Sequence, residues 1–191
     1  MATASVEVAN LPAKGKIERL IKLFRGRQRA LVLTHDNPDP DSMAAAWALA
    51  TVLTERVGVP AEIAYGGIIG RAENAAFVKV LKIPINHVED VDLTSFDLFA
   101  IVDTQQGVGN HALPESTMAD IVVDHHPVRE GEVENPFGDV GGEFGATSTM
   151  LTEYVRAARI EPSPALATAL YYGIKAVKSK NQPCLYVNLM R

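Results

Sequence analysis

One short segment of the chain concentrates side chains that bind metal ions. Residues 35–42, with the sequence HDNPDPDS, bring one imidazole and three carboxylates into a turn that contains two prolines. Ligand sets of imidazole and carboxylate without thiolate suit Mg²⁺, Mn²⁺ and related divalent ions. The segment therefore predicts a divalent-metal site. The simpler alternative is a proline-rich turn in which Asp41 or Ser42 only caps the helix that follows.

Ligand-type residues also follow two later apolar runs. Asp103 ends the first of these runs, and Asp124, His125 and His126 directly follow the second. A single aspartate at the end of a strand is more often a turn or cap residue, and a pair of histidines carries little weight by itself. Three clusters that each follow an apolar run make a shared metal site the better interpretation.

The spacing of these residues favours two metal ions rather than one. His35, Asp39 and Asp41 can approach from one turn. Because Asp39 and Asp41 lie two residues apart, they can serve different ions. Asp103 could then bridge the two ions, and His125 could complete the second. Two such ions clamp a phosphoryl group and lower the pKa of a water molecule, so the reaction needs no serine or cysteine nucleophile.

The remaining candidates would contact the substrate or hold an imidazole in place. We predict that Asp124 orients an imidazole from outside the ligand set. His126 could contact a phosphate or donate a proton to the leaving oxygen. Residues 145–148, GATS, open a predicted helix whose free N–H groups could stabilise an anion. Simple capping with close packing is an equal alternative for that segment.

Alternating strands and helices would position these candidates. The apolar pattern predicts strands at 30–34, 61–65, 84–88, 97–103 and 118–123, and helices at 16–27, 41–57, 71–81, 146–158 and 164–174. The segment 131–142 is predicted as loop, with a short strand left open. This alternation predicts an α/β fold with a doubly wound, mainly parallel sheet and helices on both faces. Because sites in such sheets form beyond the carboxyl ends of the strands, the three clusters would meet at one edge.

Composition argues against several classes of protein. The chain has 191 residues, of which 47% are hydrophobic and 21% charged, as in a globular protein of one domain. No apolar run approaches the length of a membrane helix or a signal-peptide core, and the single cysteine, Cys184, excludes an internal disulfide framework. We therefore expect a cytoplasmic protein without membrane contact. The net charge of -5, without a basic block, argues against a nucleic-acid-binding module that only neutralises phosphates.

Four segments together resemble the successive motifs of the DHH phosphoesterase family. They are HDNPDPDS at 35–42, VDTQ at 102–105, VDHHP at 123–127 and GATST at 145–149. The chain looks most similar to the branch of nanoRNases that also remove phosphate from 3′-phosphoadenosine 5′-phosphate. RecJ-type nucleases, cyclic-dinucleotide phosphodiesterases and family II pyrophosphatases are related to that branch. The resemblance implies hydrolysis of phosphodiester or phosphomonoester bonds in short single-stranded RNA or DNA, or in a small nucleotide.

The resemblance also implies a ligand set and a cofactor. Two Mn²⁺ ions are expected, with Mg²⁺ or Co²⁺ as alternatives. The ligands would be His35, Asp39 and Asp103 for one ion and Asp41, Asp103 and His125 for the other. His126 would face the substrate phosphate. A homodimer is left open as the assembly.

The C-terminal part departs from the family pattern. The family has a metal-binding aspartate in a fourth motif shortly after a helix like that predicted at 164–174, whereas no Asp or Glu occurs here after Glu161. The family's second domain is likewise expected to be absent. We therefore divide the chain into an N-terminal extension (1–15), a DHH domain (16–175) and an atypical tail (176–191).

These departures leave alternatives to a fully active enzyme. One is a truncated, weakly active or inactive metal-binding remnant that holds the first ion well and the second weakly. Another is an enzyme with pyrophosphatase-like or cyclic-dinucleotide phosphodiesterase activity. Nothing in residues 1–175 distinguishes among the nucleotide substrates.

Overall fold

The structure, a computed structural model, describes residues 8–129, 135–141 and 144–177. Residues 1–7 of the predicted extension and 178–191 of the predicted tail lie outside these ranges. The α-helices described are α1 (Ala13–Phe24), α2 (Pro40–Val52), α3 (Ala72–Leu81), α4 (Thr147–Ala157) and α5 (Pro164–Ala176). The strands described are β1 (Ala30–Leu33), β2 (Ala61–Tyr65), β3 (Ile85–His87), β4 (Leu98–Val102), β5 (Ile121–Asp124) and β6 (Phe137–Val140). No helix in these ranges combines the length and apolar character that crossing a membrane requires.

Six parallel strands form the sheet in the described part of the chain, in the order β3-β2-β1-β4-β5-β6. Every neighbouring pair of these strands is parallel. The α/β class and the parallel sheet predicted from the sequence are therefore confirmed. The chain adds strands outward from β1 to β3 and then crosses back to β4, so its direction of winding reverses between β1 and β4. Ligands in open α/β sheets bind at such a reversal, beyond the carboxyl ends of the strands.

The two faces of the sheet are covered differently. All the α-helices of the described residues pack on one face. The 3₁₀ helices Val88–Asp90 and Leu93–Ser95, together with the segment 104–120, cover the other. The connections from β3 to β4 and from β4 to β5 run in the direction opposite to the earlier ones, so right-handed crossovers send them to that second face. These connections lack the apolar period of an α-helix. Helices thus lie on both faces, as predicted, but the α-helices lie on only one.

Several element boundaries differ from those predicted. Helix α1 begins at Ala13, directly after Pro12, and ends at Phe24, three residues earlier at each end than predicted. Gly26 lies just beyond its C-terminal end with a φ of 98°, which does not continue a helix. Residues 13–15 of the predicted extension therefore belong to α1. Strand β5 begins at Ile121 rather than Met118 and includes Asp124. The strand left open within 131–142 is β6.

Helices α2 and α5 pack closely around Gly173. A Cβ atom there would lie 2.5 Å from Oγ of Ser148 and 3.1 Å from the carbonyl oxygen of Pro40. We expect Gly173→Ala to lower the free energy of unfolding by about 1–2 kcal/mol, because the overpacking outweighs the gain in helix propensity. Urea denaturation measures the change. Gly145→Ala is the control, since nothing lies within 4 Å of a Cβ there, and an equal loss in both variants would contradict the packing argument.

Candidate metal centre

The first side of the site is the loop between β1 and α2. Nδ1 of His35 lies 2.9 Å from the carbonyl oxygen of Asp36. A carbonyl oxygen only accepts, so Nδ1 carries the proton and Nε2 keeps a free lone pair. That Nε2 lies 3.9 Å from Oδ1 of Asp39 and 3.7 Å from Oδ2 of Asp103. The imidazole and the two carboxylates therefore converge on one point.

Asp103 occupies the centre of the site, directly after β4. Its side chain is buried, and its backbone has a φ of 59°, a conformation that is uncommon for residues other than glycine. Its Oδ1 accepts a hydrogen bond of 2.7 Å from Oγ1 of Thr147 and lies 3.6 Å from Nε2 of His125. One oxygen of Asp103 therefore faces His35, and the other faces His125.

Asp124 holds the second histidine of the His-His pair. Its Oδ1 lies 2.8 Å from Nδ1 of His126. That hydrogen bond raises the pKa of His126. Burial works to raise the pKa of Asp124, but the hydrogen bonds from His126 and Gln105 outweigh burial and lower it. Burial lowers the pKa of His125, and the neighbouring His126 lowers it further, which favours the neutral imidazole that binds metals.

Among the described residues, two groups are close enough to hold divalent ions. The groups are His35, Asp39 and Asp103, and Asp103, His125 and His126, with the ligand atoms of each group within 4.8 Å of one another. An octahedral ion with bonds of about 2.1 Å separates adjacent ligand atoms by about 3.0 Å and opposite ones by about 4.2 Å. Nε2 of His35 and Nε2 of His125 lie 3.6 to 3.9 Å from the carboxylate oxygens of their groups, which is between these limits. Nδ1 of His126 lies 3.9 Å from Oδ1 of Asp103, but it is hydrogen-bonded to Asp124. The donor set therefore fits one divalent ion beside His35 and a second beside His125, with Asp103 shared.

Asp39 both caps helix α2 and belongs to the first group. Its Oδ1 accepts hydrogen bonds from the backbone N–H of Asp41 at 2.9 Å and of Ser42 at 3.1 Å. Pro40 occupies the first helical position, where a missing N–H costs nothing. The helix cap proposed from the sequence is therefore present, but Asp39 provides it rather than Asp41 or Ser42.

Asp41, the predicted third ligand of the second ion, contacts the start of α4. Its carboxylate accepts hydrogen bonds from the backbone N–H of Thr147 at 3.0 Å and of Ser148 at 2.7 Å. The N-terminus of α4 thus stabilises an anion of the protein itself, which corresponds to the capping alternative for residues 145–148. The structure groups His126 with Asp103 and His125, and the assignment of Asp41 to an ion stays a prediction.

Sequence analysis missed two neutral side chains that support the site. Oγ1 of Thr147 donates to Asp103 and accepts from the backbone N–H of His125 at 3.3 Å. Gln105 donates a hydrogen bond of 2.7 Å to Asp124. Both residues lie inside the segments VDTQ and GATST. Neither side chain carries a charge that would mark it as a site residue. Its position inside one of these segments was therefore the only sequence signal for its role.

The buried carboxylates of the site disfavour each other's charge when no cation is bound. Burial, and then the charge of Asp103, raise the pKa of Asp41 to about 7, and burial raises the pKa of Asp103 to about 6. Both pKa values exceed the pKa of an aspartate in an unfolded chain, which is roughly 3.9. Between the unfolded and the folded pKa, the folded state binds more protons than the unfolded state, so the protein loses stability as pH rises through this range. We expect Tm in EDTA to fall from about pH 5 to about pH 8, and MnCl₂ to remove most of that fall. Parallel pH profiles in the two buffers would contradict a cation site between these carboxylates.

Comparison with known proteins gives one family match and one curated relative. Residues 29–174 match the model of the DHH family, N-terminal domain. An uncharacterized protein of Methanocaldococcus jannaschii is 46% identical over 147 residues, which are 76% of this chain and 30% of that protein. The matched residues include every site residue predicted from the sequence, from His35 to His126.

The fold is shared with solved structures of other proteins. The crystal structure of an exopolyphosphatase-related protein from Bacteroides fragilis superposes with a TM-score of 0.61 and 13% identity, covering 85% of this chain and 49% of that one. The structure of a putative family II inorganic pyrophosphatase from Methanococcus jannaschii gives a TM-score of 0.55 and 22% identity, covering 78% and 48%. At these identities the likeness concerns the fold alone. The chain spans about half the length of these structures and less than a third of the curated relative.

Proposed function

This chain belongs to the DHH family of phosphoesterases, pyrophosphatases and nucleases, and on that premise we propose that it is a dinuclear, Mn²⁺-dependent phosphoesterase. Its substrates would be short single-stranded oligonucleotides or small nucleotides such as 3′-phosphoadenosine 5′-phosphate, cleaved at a phosphodiester or phosphomonoester bond. The four motif segments at 35–42, 102–105, 123–127 and 145–149 support the nanoRNase branch by resemblance.

The position of Asp103 carries the proposal. It lies where the winding of the sheet reverses, and its two oxygens face His35 on one side and His125 on the other. A carboxylate shared in this way is the arrangement that two closely spaced ions require. A site for a single structural ion would need no such sharing, because one closed shell of ligands would be sufficient.

The two ions would supply an activated water molecule and positive charge against the phosphate oxygens. The chain's own residues hold the imidazoles in place beside that position. The side chain of His126 is 53% exposed, while that of Asp124 behind it is 1% exposed. Because Nδ1 of His126 is bonded to Asp124, its Nε2 is free to contact a phosphate oxygen or to donate a proton to the leaving oxygen.

A weakly active or inactive metal-binding protein is the second candidate function. No Asp or Glu follows Glu161 in the sequence, so the aspartate of the family's fourth motif has no counterpart there. The hydrogen bonds of Asp41 to the start of α4 also compete with its use as a ligand. Counting bound Mn²⁺ by calorimetry separates the candidates. Two tightly bound ions support the dinuclear enzyme, and one bound ion without turnover supports the second candidate.

A substrate panel tests the proposed reaction. Protein freed of metal with EDTA is assayed on a dinucleotide, 3′-phosphoadenosine 5′-phosphate, a cyclic dinucleotide and pyrophosphate, each with and without MnCl₂. We expect Mn²⁺-dependent hydrolysis of the dinucleotide or of 3′-phosphoadenosine 5′-phosphate. Hydrolysis of pyrophosphate alone, or of the cyclic dinucleotide alone, would assign one of the related activities instead. No turnover of any compound at high enzyme concentration with Mn²⁺ bound would refute an enzymatic role.

A further inference from the structure

Gln105 is a buried amide that is hydrogen-bonded to the last residue of β5 and to the segment that follows this strand. Gln105 follows Asp103 by two positions in the sequence, and it is only 3% exposed. Nε2 donates to Oδ2 of Asp124 at 2.7 Å and to the carbonyl oxygen of Pro127 at 3.1 Å. Oε1 accepts from the backbone N–H of Arg129 at 3.1 Å. The side chain of Gln105 is therefore hydrogen-bonded to three residues of the segment 124–129.

His125 and His126 lie in the sequence between Asp124 and Pro127, two of the residues that Gln105 contacts. Residues 125–129 belong to no helix or strand, so strand pairing does not fix their backbone. Asp124 uses its second oxygen to accept from the backbone N–H and from Nδ1 of His126, at 3.2 and 2.8 Å. The contacts thus form one chain from Gln105 through Asp124 to His126. The same amide holds the backbone on the far side of the pair.

We propose that Gln105 is a positioning residue that fixes the His125–His126 pair relative to Asp103. This role rests on the proposed phosphoesterase function, in which both imidazoles must face the metal centre. Gln105 touches neither imidazole in these contacts and acts through Asp124, Pro127 and Arg129. Partners of this kind, one step removed from metal-binding groups, change activity or metal affinity by about 10–100-fold when they are replaced.

The adjacent residue Gln106 is a matched control. Its Nε2 donates to the carbonyl oxygen of Thr117 at 2.8 Å, and its Oε1 accepts from the backbone N–H of Ala119 at 2.7 Å. Gln106 therefore ties together a loop by the same chemistry, but that loop carries none of the predicted site residues. A general loss of loop stability should affect both glutamine variants, whereas a loss of histidine positioning should follow Gln105 alone.

Two substitutions at Gln105 and one at Gln106 test the proposal. Gln105→Glu keeps the shape and the acceptor for Arg129 but removes both donated hydrogen bonds and places a carboxylate against Asp124. Gln105→Met keeps the approximate volume without any hydrogen bond, and Gln106→Met is its control. We expect both Gln105 variants to lower kcat by about 10–100-fold with KM changed less than about 3-fold. Gln106→Met should lower Tm but leave kcat within about 2-fold of the wild type.

A spectroscopic measurement keeps the test independent of turnover. The ¹⁵N chemical shifts of the histidine rings, recorded on folded protein in alkaline buffer, report which nitrogen of His126 carries the proton. We expect the Nδ1–H form in the wild type and in Gln106→Met, and a mixture of tautomers in both Gln105 variants. If the wild type hydrolyses no compound, the phosphoesterase proposal fails and the ring shifts still decide the role of Gln105. Unchanged shifts in the Gln105 variants, or equal losses of kcat in the Gln105 and Gln106 variants, would overturn the positioning role.

Discussion

Asp103→Asn is expected to lower kcat by at least about 10³-fold while leaving the fold intact. Replacing a partner outside the ligand set costs about 10–100-fold, and Asp103 is the carboxylate that both groups of ligands share, so the loss should be larger. Asparagine suits this position because it tolerates a positive φ, here 59°, better than most residues. Its amide oxygen can still accept from Oγ1 of Thr147. The change therefore removes a charge and little else.

Stability measurements separate a lost metal site from a damaged fold. Burial raises the pKa of Asp103 to about 6, so its charge destabilises the metal-free protein above that pH. We therefore expect Asp103→Asn to match or exceed the Tm of the wild type in EDTA at about pH 8, and to lose most of the rise in Tm on addition of MnCl₂. Steady-state kinetics, calorimetric Mn²⁺ titration and thermal denaturation measure the three effects.

Asp97 provides the matched control, because it flanks the same strand at its other end. It precedes β4 at the opposite edge of the sheet, where its carboxylate accepts from the backbone N–H groups of Gln28 and Arg29, both at 2.9 Å. Asp97→Asn should leave kcat and Mn²⁺ binding unchanged. Full activity of Asp103→Asn, or equal losses in the two variants, would contradict the role of Asp103 as a shared ligand.

The convergence of the site was predictable because it follows from local rules. Apolar runs at 30–34, 97–103 and 118–123 mark buried strands, and strands that alternate with helices pair in parallel. Parallel pairing places the residues after each strand at one edge, so His35 and Asp103 meet although 68 positions separate them. The order of strands then places both residues at the reversal of winding, which the sequence pattern alone did not specify.

The partner of Asp41 was not predictable, because it depends on packing between distant elements. In the sequence, Asp39 and Asp41 are equivalent carboxylates of one turn. Because Pro40 is the first residue of α2, Asp39 is the cap of that helix and Asp41 faces α4. Helix α4 begins more than a hundred residues later in the chain. No periodicity reports that contact. The burial of Lys16 was not predictable for the same reason, because its partner Asp139 lies on a distant strand.

Lys16→Met is expected to lower the free energy of unfolding by about 3–5 kcal/mol at neutral pH, because it leaves a buried carboxylate without its counter-charge. Nζ of Lys16 lies 2.7 and 2.8 Å from the two oxygens of Asp139, and the two side chains are only 8% and 1% exposed. The hydroxyl of Tyr154 donates the remaining hydrogen bond to Asp139 at 2.6 Å. This cluster joins α1 to β6 and α4. Urea denaturation of the wild type and the variant measures the loss.

The loss in Lys16→Met should depend on pH in a defined direction. Burial already raises the pKa of Asp139 in the wild type, and the ion pair with Lys16 opposes that effect. Without Lys16 the folded pKa of Asp139 rises further above its unfolded value, so the variant loses stability as pH rises through that pKa and recovers part of it as pH falls. The deficit should therefore be smaller at about pH 5 than at about pH 8.

A second lysine on the same helix and a double variant complete the test. Lys14 pairs with Glu18 at 3.9 Å, but both side chains are exposed, so Lys14→Met should change stability by less than about 0.5 kcal/mol. Adding Asp139→Asn to Lys16→Met removes the unpaired charge and should restore part of the lost stability, because an uncharged pair leaves no ion to desolvate. Two results would contradict a stabilising ion pair between Lys16 and Asp139. One is a loss of unfolding free energy in Lys16→Met that is no larger than the loss in Lys14→Met. The other is a double variant that is less stable than Lys16→Met.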